Sequence, residues 1–233
     1  MDTLTRITNH WGPKVAQAAF ELGAIRLSVD DPFTWVSGYR MPIYNDNRRL
    51  LANATSRALI AEAFAEMLQV LKFDPQNIAG TATAGIPHAT TLADRLGKPL
   101  SYVRSASKGH GLGQQIEGLG LSGSYLGASV LLIEDLISTG GSSVKAVEAI
   151  VQAGGVCPYT LAIFTYGMDK AVEAFAALDP ACTFHTILTY NVMVKTALES
   201  GYIDREAASA LAAWQEDPFG WGERHGFAKE EGR

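Results

Sequence analysis

The chain has 233 residues, of which 47% are hydrophobic and 18% are charged. These values are typical of a globular protein and exclude a disordered or fibrous chain. The net charge of -5, from 19 Lys and Arg against 24 Asp and Glu, gives no general attraction for nucleic acid or anionic lipid, so any bound anion must be held locally.

The first fifty residues predict a small cap, because they lack the regular alternation of strand and helix patterns found in the rest of the chain. A helix is expected over residues 13–22, and extended segments are expected around residues 33–36 and 41–45. We therefore assign residues 1–50 to an N-terminal hood that sits on a larger domain.

From residue 55 onward, short apolar runs alternate with segments of helical periodicity. Strands are predicted at residues 77–80, 100–103, 130–133, 159–165 and 183–188. Helices are predicted at residues 55–71, 86–96, 144–151 and 168–178. Repeated strand–helix units indicate an α/β fold with a central, mainly parallel sheet flanked by helices, which we assign to residues 51–190.

Residues 191–233 follow as a C-terminal helical extension, with helices expected at 192–198 and 204–214. They could cover the sheet or form part of a subunit interface, and the pattern does not choose between the two. The tail from residue 220 is rich in Gly and charge and is expected to fray.

The cysteine count indicates the compartment. Cys157 and Cys182 are too few for a disulfide framework and lack metal-site spacing, so two reduced thiols in the core of a cytoplasmic protein are expected. No apolar run approaches the length of a membrane span, and residues 1–10 lack the apolar stretch of a secretory signal.

The most informative segment is residues 130–143, VLLIEDLISTGGSS, in which an apolar strand runs into two acids, Glu134 and Asp135, and then into a Ser/Thr/Gly turn that opens a helix. Backbone N–H groups at such a turn, together with the helix N-terminus, can hold a phosphate without Lys or Arg. The segment lacks the patterns of a triphosphate P-loop and of a dinucleotide site. The two acids suit a ligand that also carries hydroxyl groups, as a ribose does.

A second candidate segment is the loop at residues 105–124, which contains six glycines and no clear periodicity. Arg104, Lys108 and His110 place three potential cations at its start. Such a segment suits a mobile lid that closes over an anionic ligand and neutralises its charge. A solvated loop with incidental charges is the alternative for Lys108 or His110 taken singly.

Residues 130–143 resemble the phosphoribosyl pyrophosphate (PRPP) motif of the type I phosphoribosyltransferases. Three other segments resemble the orotate phosphoribosyltransferases within that family: the hood FTWVSGYRMPIYNDNR at 33–48, the loop GTATAGIPHA at 80–89, and the lid, whose K-x-H-G arrangement runs on to Glu117-Gly118. The resemblance implies the type I phosphoribosyltransferase fold and transfer of the phosphoribosyl group of PRPP to orotate in pyrimidine biosynthesis. It extends from about residue 33 to residue 155.

The resemblance also implies roles for individual residues. Lys108, His110 and Asp135 would be catalytic, Ser138, Ile43 and Tyr44 would bind orotate, and Thr83 and Ala84 would approach the pyrophosphate. PRPP would be bound by Arg104, Lys108, His110, Glu134, Asp135, Leu136, Ile137, Ser138, Thr139, Gly140, Gly141 and Ser142. Mg2+ would be held mainly through PRPP, with no direct protein ligand. The protein would be a homodimer whose lid acts on the neighbouring site.

The chain departs from the family pattern most clearly by lacking three cations, and smaller differences are Met41 in place of a hood serine and Glu134 where some members have Asp. Val36, Ala84 and Ser105 stand where many members carry lysine. Arg40 and Arg48 are the candidates to supply the missing charge. Two other functions stay open at this point: a phosphoribosyltransferase for a purine or for uracil, and a non-catalytic regulator that senses PRPP and binds nucleic acid. The charge of -5 argues against the regulator.

Overall fold

The computed structural model describes residues 3–35, 37–105 and 115–230. The helices are α1 (Thr3–Glu21), α2 (Ala54–Leu71), α3 (Gly85–Leu96), α4 (Gly141–Gln152), α5 (Asp169–Ala176), α6 (Tyr190–Glu199), α7 (Arg205–Glu216) and α8 (Trp221–Arg224). The strands are β1 (Ile25–Leu27), β2 (Phe33–Thr34), β3 (Arg40–Met41), β4 (Ile43–Asn45), β5 (Asn77–Thr81), β6 (Leu100–Val103), β7 (Ile116–Glu117), β8 (Ser129–Ile137), β9 (Val156–Thr165) and β10 (Thr183–Thr189). A 3-10 helix, Asn47–Ala52, links the hood to α2.

The main sheet has six strands in the order β10-β9-β8-β5-β6-β7. The first five of these run parallel to one another, and β7 pairs antiparallel with β6 at the edge. The predicted α/β architecture with a mainly parallel sheet is therefore confirmed. β7 lies in the segment predicted as an irregular loop, where Ile116 is buried against the sheet edge.

Successive side chains of β8 point to opposite faces of the sheet, and both faces are covered, so its apolar run has no polar face. Leu131 and Ile133 belong to the core cluster shared with α1, α2, α3 and α6, whereas Val130 and Leu132 belong to the cluster shared with α4 and α5. All four residues have no exposed surface. A central parallel strand covered on both faces requires this pattern.

β8 is longer than its apolar run predicts. It continues through Ile137 because the parallel pairing with β9 extends to Ile137 opposite Thr165. Glu134 and Asp135 therefore lie within the strand and not in the turn after it. A prediction based on hydrophobicity ends the strand where the acids begin, because the pairing of β8 with β9 is not visible in the sequence of β8 alone.

The hood consists of two small antiparallel pairs, β1 with β4 and β2 with β3. β1 was not predicted, because three residues are too few to show a period. α1 begins at Thr3, ten residues before the predicted start, and Pro13 lies inside it. The division into hood, core and extension stays a prediction, although Met41, Leu131 and Trp214 share one core cluster.

The C-terminal extension packs on the same face of the sheet as α1. α6 and α7 contribute Met193 and Leu211 to that core, and Trp214 and Trp221 are fully buried. The prediction that the tail frays from residue 220 is wrong for the described residues, because Glu230 donates its backbone N–H to the carbonyl oxygen of Gly38 at 2.9 Å. Tertiary contacts with a distant segment order a stretch whose composition favours disorder.

Both cysteines are buried and unbridged, as expected. Among the described residues, no helix combines the length and the apolar character needed to cross a membrane.

Candidate active site

A cleft of about 400 Å³ opens at the carboxyl ends of β5 and β8. Ligands of open parallel sheets bind at this edge. The turn after β8, the loop after β5 and the end of the hood supply its walls, which are lined by Asn45, Asp46, Arg48, Thr81, Ala82, Thr83, Ala84, Glu134, Asp135, Leu136, Ser138, Thr139, Gly140, Gly141 and Ser142.

The predicted phosphate turn forms one end of this cleft. Ser138, Thr139 and Gly140 connect β8 to α4, which begins at Gly141. The first N–H groups of a helix lack partners within the helix, and its N-terminus carries partial positive charge. An anion can therefore be held here by backbone groups. Ile137 does not line the cleft, since its side chain is fully buried in the core.

Glu134 is held inside the protein by two hydroxyl groups. Thr81 donates to one carboxylate oxygen, and Ser143 donates to the other at 2.9 Å. Burial raises the pKa of Glu134 to about 7, although both hydroxyl groups act in the opposite direction. The carboxylate has further lone pairs for a ligand, and its contact with ribose stays a prediction.

Asp135 lines the same cleft. Burial raises its pKa, while backbone N–H groups and the charge of Arg48 oppose that rise. Its backbone carbonyl accepts a hydrogen bond from Nδ2 of the buried Asn47 at 2.7 Å. This bond ties the 3-10 helix after the hood to the strand that carries the acids.

The loop after β5 approaches the cleft between the sheet and α3. Thr83 and Ala84 line the cleft, and their contact with pyrophosphate stays a prediction. Gly85 starts α3 where a Cβ atom would overlap the carbonyl oxygen of Ile133 and lie 2.6 Å from Oγ1 of Thr81. The absence of a side chain at Gly85 therefore lets the loop approach β8 and keeps Thr81 beside Glu134.

The structure separates the two arginines considered as replacements for the missing lysines. Arg48 lines the cleft, where its Nε atom lies 2.6 Å from Oδ1 of Asp46. Arg40 does not line the cleft and instead pairs with Asp31 at 3.5 Å and Glu230 at 2.9 Å. Arg48 is thus the candidate that is placed to meet an anionic substrate.

The orotate-binding residues predicted in the hood occupy different surroundings from those expected. Ile43 is fully buried, and Tyr44 lies with its ring 4.8 Å from the Arg26 guanidinium. Neither lines the cleft described above, so their contact with orotate stays a prediction. The next residue, Asn45, does line it, and both polar atoms of its amide are buried without a hydrogen-bond partner in the described structure. The resemblance to the family motif did not single out Asn45. Its position as a polar residue at the end of a strand is the feature of the sequence that could have indicated it.

At the base of the predicted lid, Arg104 pairs with Glu117 at 3.3 Å. Its backbone carbonyl accepts a bond from the Gln115 side chain at 2.9 Å. Arg104 is not among the cleft-lining residues. Lys108, His110 and Val36 lie outside the described residues, so their predicted roles stay predictions.

The donor set of the cleft bears on the expected Mg2+. Within the described ranges no group of three or more His, Cys, Asp or Glu side chains could hold a metal ion. Three carboxylates line the cleft: Glu134 is bonded to two hydroxyl groups and Asp46 is paired with Arg48, which leaves Asp135 as the carboxylate most available to an ion. Mg2+ commonly binds through one or two carboxylates and substrate phosphates. The residues fit an ion held mainly through PRPP.

Comparison with known proteins identifies the family. A model of the phosphoribosyl transferase domain matches residues 46–174. Orotate phosphoribosyltransferase from Bacillus caldolyticus is 45% identical over 209 residues, which is 89% of this chain and 98% of the relative. The enzyme of that name from Cutibacterium acnes is 40% identical over 222 residues, 95% of this chain and 100% of the relative. The chain belongs to the orotate phosphoribosyltransferase family.

Solved structures agree with this orotate phosphoribosyltransferase assignment. The orotate phosphoribosyltransferase of Aeropyrum pernix has a TM-score of 0.67 and 28% identity, with 82% of this chain and 99% of that chain covered. A structure of Leishmania donovani UMP synthase shares the fold, with a TM-score of 0.72 and 24% identity over 88% of this chain and 42% of that chain. The type I phosphoribosyltransferase fold predicted from the motifs is confirmed.

Proposed function

We propose that this protein is the orotate phosphoribosyltransferase of de novo pyrimidine biosynthesis, joining orotate to PRPP to give orotidine 5-phosphate and pyrophosphate. The relatives that carry this name match nearly the full chain. The observation that carries the proposal is the single cleft in which the turn after β8, Asp135 and the hood meet. It offers sites for a phosphate, for ribose hydroxyl groups and for a planar base.

In the reaction, the C–O bond from ribose C1 to pyrophosphate breaks, and a C–N bond forms from C1 to the ring nitrogen of orotate. The ring nitrogen loses its proton, and the bonding electrons leave with the pyrophosphate. Positive charge develops on the ribose while negative charge gathers on the leaving group. The fixed charges of the site therefore have to match both changes.

We assign the ribose to the two acids. Asp135 lies at the cleft wall, where its carboxylate would accept hydrogen bonds from ribose hydroxyl groups and stabilise the cationic ring. Glu134 has fewer free positions because Thr81 and Ser143 hold it, so it would fix the strand end as well as contact the ribose. The 5-phosphate would lie against the N–H and hydroxyl groups of residues 138–142.

We assign the pyrophosphate to the opposite side of the ribose, near Thr83 and Ala84. Lys108, His110 and Arg104 would close over it, and Arg48 would add a cation from the hood. Closure would also keep out water, which would otherwise hydrolyse PRPP. Mg2+ bound through the PRPP oxygens would supply further charge neutralisation, and chelation with EDTA is expected to abolish turnover.

The base would lie between the hood and Ser138. Orotate presents ring carbonyl and N–H groups, and an amide side chain can both donate to and accept from such groups. Asn45, which has no partner of its own in the described structure, is suited to that role. Tyr44 and Ile43 would shape the hood behind it.

We also propose a cytoplasmic homodimer in which each lid acts on the neighbouring site. The buried free cysteines suit a reducing compartment. The test of shared sites is to mix Lys108→Ala protomers with Asp135→Asn protomers, because a mixed dimer would contain one intact site. Recovery of activity on mixing is expected, and no recovery would contradict the shared site.

The function itself is tested by following the loss of orotate absorbance in the presence of PRPP and Mg2+. Orotate should be consumed, while uracil, adenine, guanine and hypoxanthine should not be. Consumption of a purine or of uracil in place of orotate would assign another phosphoribosyltransferase activity. PRPP binding without consumption of any base would indicate a regulator.

A further inference from the structure

The last described residues of the chain contact the hood, although residues 228–230 are also exposed to solvent. We infer that residues 227–230, which we name the tail latch, hold the hood in the shape that binds orotate, and that Glu230 is a positioning residue for that substrate. This inference rests on the proposed function. It assigns a task in the active site to a segment outside residues 46–174, the span that matches the family domain.

Glu230 joins the two strands of the hood hairpin. Its Oε1 atom accepts hydrogen bonds from Thr34 Oγ1 of β2 and from Arg40 Nη1 of β3, each at 2.9 Å. Thr34 and Arg40 are direct partners across this antiparallel pair. One carboxylate oxygen therefore bonds to both members of a cross-strand pair.

The hairpin needs such support because each of its strands is only two residues long. A two-stranded hairpin is marginally stable on its own even when its strands are longer. The latch adds a backbone hydrogen bond from the Glu230 N–H to the Gly38 carbonyl in the turn, at 2.9 Å. It also places the ammonium group of Lys229 4.2 Å from the centre of the Tyr39 ring.

Gly38 shows how closely the latch approaches the turn. A Cβ atom built at Gly38 would overlap the carbonyl oxygen of Glu230. The φ angle of Gly38 is +81°, a region that other residues rarely adopt. The hood turn and the tail therefore fit together only when this position carries no side chain.

Charge gives the latch a second effect. The Arg40 side chain is 21% exposed, and its other ion-pair partner, Asp31, is 96% exposed and lies 3.5 Å away. Glu230 provides the shorter of the two ion pairs for a largely buried guanidinium. Loss of this carboxylate would leave Arg40 with incomplete compensation, which favours movement of β3 toward solvent.

The hairpin is coupled directly to the cleft. Met41 of β3 accepts a bond at its sulfur from Trp214 Nε1 at 3.1 Å, and Trp35 Nε1 donates to the carbonyl of Ile43 at 2.9 Å. β4 follows Met41 after one residue and ends at Asn45, which lines the cleft. A displaced hairpin would therefore move the residues assigned to the base.

The experiment compares Glu230→Ala and Glu230→Gln with Glu223→Ala and Glu223→Gln. Glu223 is exposed on α8 of the same extension, and among the described residues its side chain forms no hydrogen bond or ion pair with the hood. Glu230→Ala should raise KM for orotate about fivefold, since the lost ion pair and hydrogen bonds involve a carboxylate that is 51% exposed and therefore partly screened by solvent. KM for PRPP and kcat should stay within about twofold of wild type, as should every constant of the two Glu223 variants.

Glu230→Gln should show a smaller rise in KM for orotate, because an amide still accepts from Thr34 but carries no charge for Arg40. An unchanged KM for orotate in Glu230→Ala would overturn the tail latch while leaving the proposed function intact. An equal rise in both KM values, together with a lower melting temperature, would show a merely structural role and would also overturn it. Failure of the wild-type protein to consume orotate would overturn the proposed function, and the latch with it.

Discussion

The turn after β8 and the hood both line the same cleft, but different kinds of contact hold them there. The turn belongs to one unbroken segment in which strand, acids and helix start follow one another within fourteen residues, 130–143. The hood is assembled from β1 to β4. It is held by the bond from Asn47 to the Asp135 carbonyl of β8, by Trp214 of α7 and by Glu230 near the end of the described chain.

The difference matters for how each region responds to change. A local segment with its own strand and helix keeps its geometry as long as the sheet folds. A small antiparallel region that depends on distant partners can change shape while the sheet stays intact. We therefore expect substitutions near the turn to affect catalysis or global stability, and substitutions in the hood to affect substrate affinity.

The largest effect is expected for Asp135→Asn. Removing the carboxylate from the ribose site should lower kcat by about 10²–10³-fold, because charge that stabilises the transition state is lost. The assay is the loss of orotate absorbance with PRPP and Mg2+. Asp169→Asn at the start of α5 is the matched control and should behave as wild type. A turnover for Asp135→Asn near that of wild type would remove Asp135 from the mechanism.

The second effect is a pH dependence of stability at Glu134. Its pKa is about 7 in the folded protein against 4.5 in the unfolded chain. A raised pKa in the fold means that stability is full below pH 4.5 and is lost as the pH rises toward 7, by up to roughly 3 kcal/mol. Urea unfolding across pH 4 to 8 should show that Glu134→Gln removes this loss.

Wild type has to be compared with Glu134→Gln because His88 changes the stability of the protein with pH in the opposite direction. Burial lowers the pKa of His88 to about 4 from 6.5, so its contribution is present above pH 6.5 and is lost as the pH falls toward 4. The two effects partly cancel in the wild-type protein. The difference between wild type and Glu134→Gln isolates the carboxylate, and a pH-independent difference would contradict the assigned burial.

The third effect is steric. Gly85→Ala should lower the free energy of unfolding by about 1–3 kcal/mol, since the added methyl group meets a backbone carbonyl and Thr81. Gly120→Ala is the matched control, because a Cβ atom there has nothing within 4 Å. Urea denaturation of both variants gives the comparison. Equal stability of the two would show that the loop after β5 can move away at no cost.

The smallest effect is expected for the two arginines of the hood region, Arg40 and Arg48, whose substitutions should change the KM of different substrates. Arg48→Ala should raise KM for PRPP several-fold, because Arg48 lines the cleft, whereas Arg40→Ala should raise KM for orotate through the loss of the tail latch. Steady-state kinetics with each substrate varied in turn measure both. An equal rise of both KM values in each variant would contradict the separate roles given to Arg48 and Arg40.

Much of the sheet was predictable because its signals are local. The apolar runs at β5, β6 and β8 to β10, and the periodic helices between them, lie within a few residues of the observed bounds. The cleft-lining residues Asp135, Ser138 and Thr139 were found for the same reason. The places where prediction failed share a different cause. The extension of β8 depends on pairing with β9, and the ordered tail depends on contact with Gly38.

The sequence alone therefore determined the α/β class, the position of the phosphate turn and the family of the chain, because each depends on residues that are neighbours along the backbone. Only the tertiary structure decided which arginine lines the cleft, that Asn45 lies there with an unpartnered amide, and that Glu230 bonds to the hood. These facts depend on side chains up to 196 positions apart, as Thr34 and Glu230 are. Such contacts arise from packing in three dimensions and leave no period or motif in the chain.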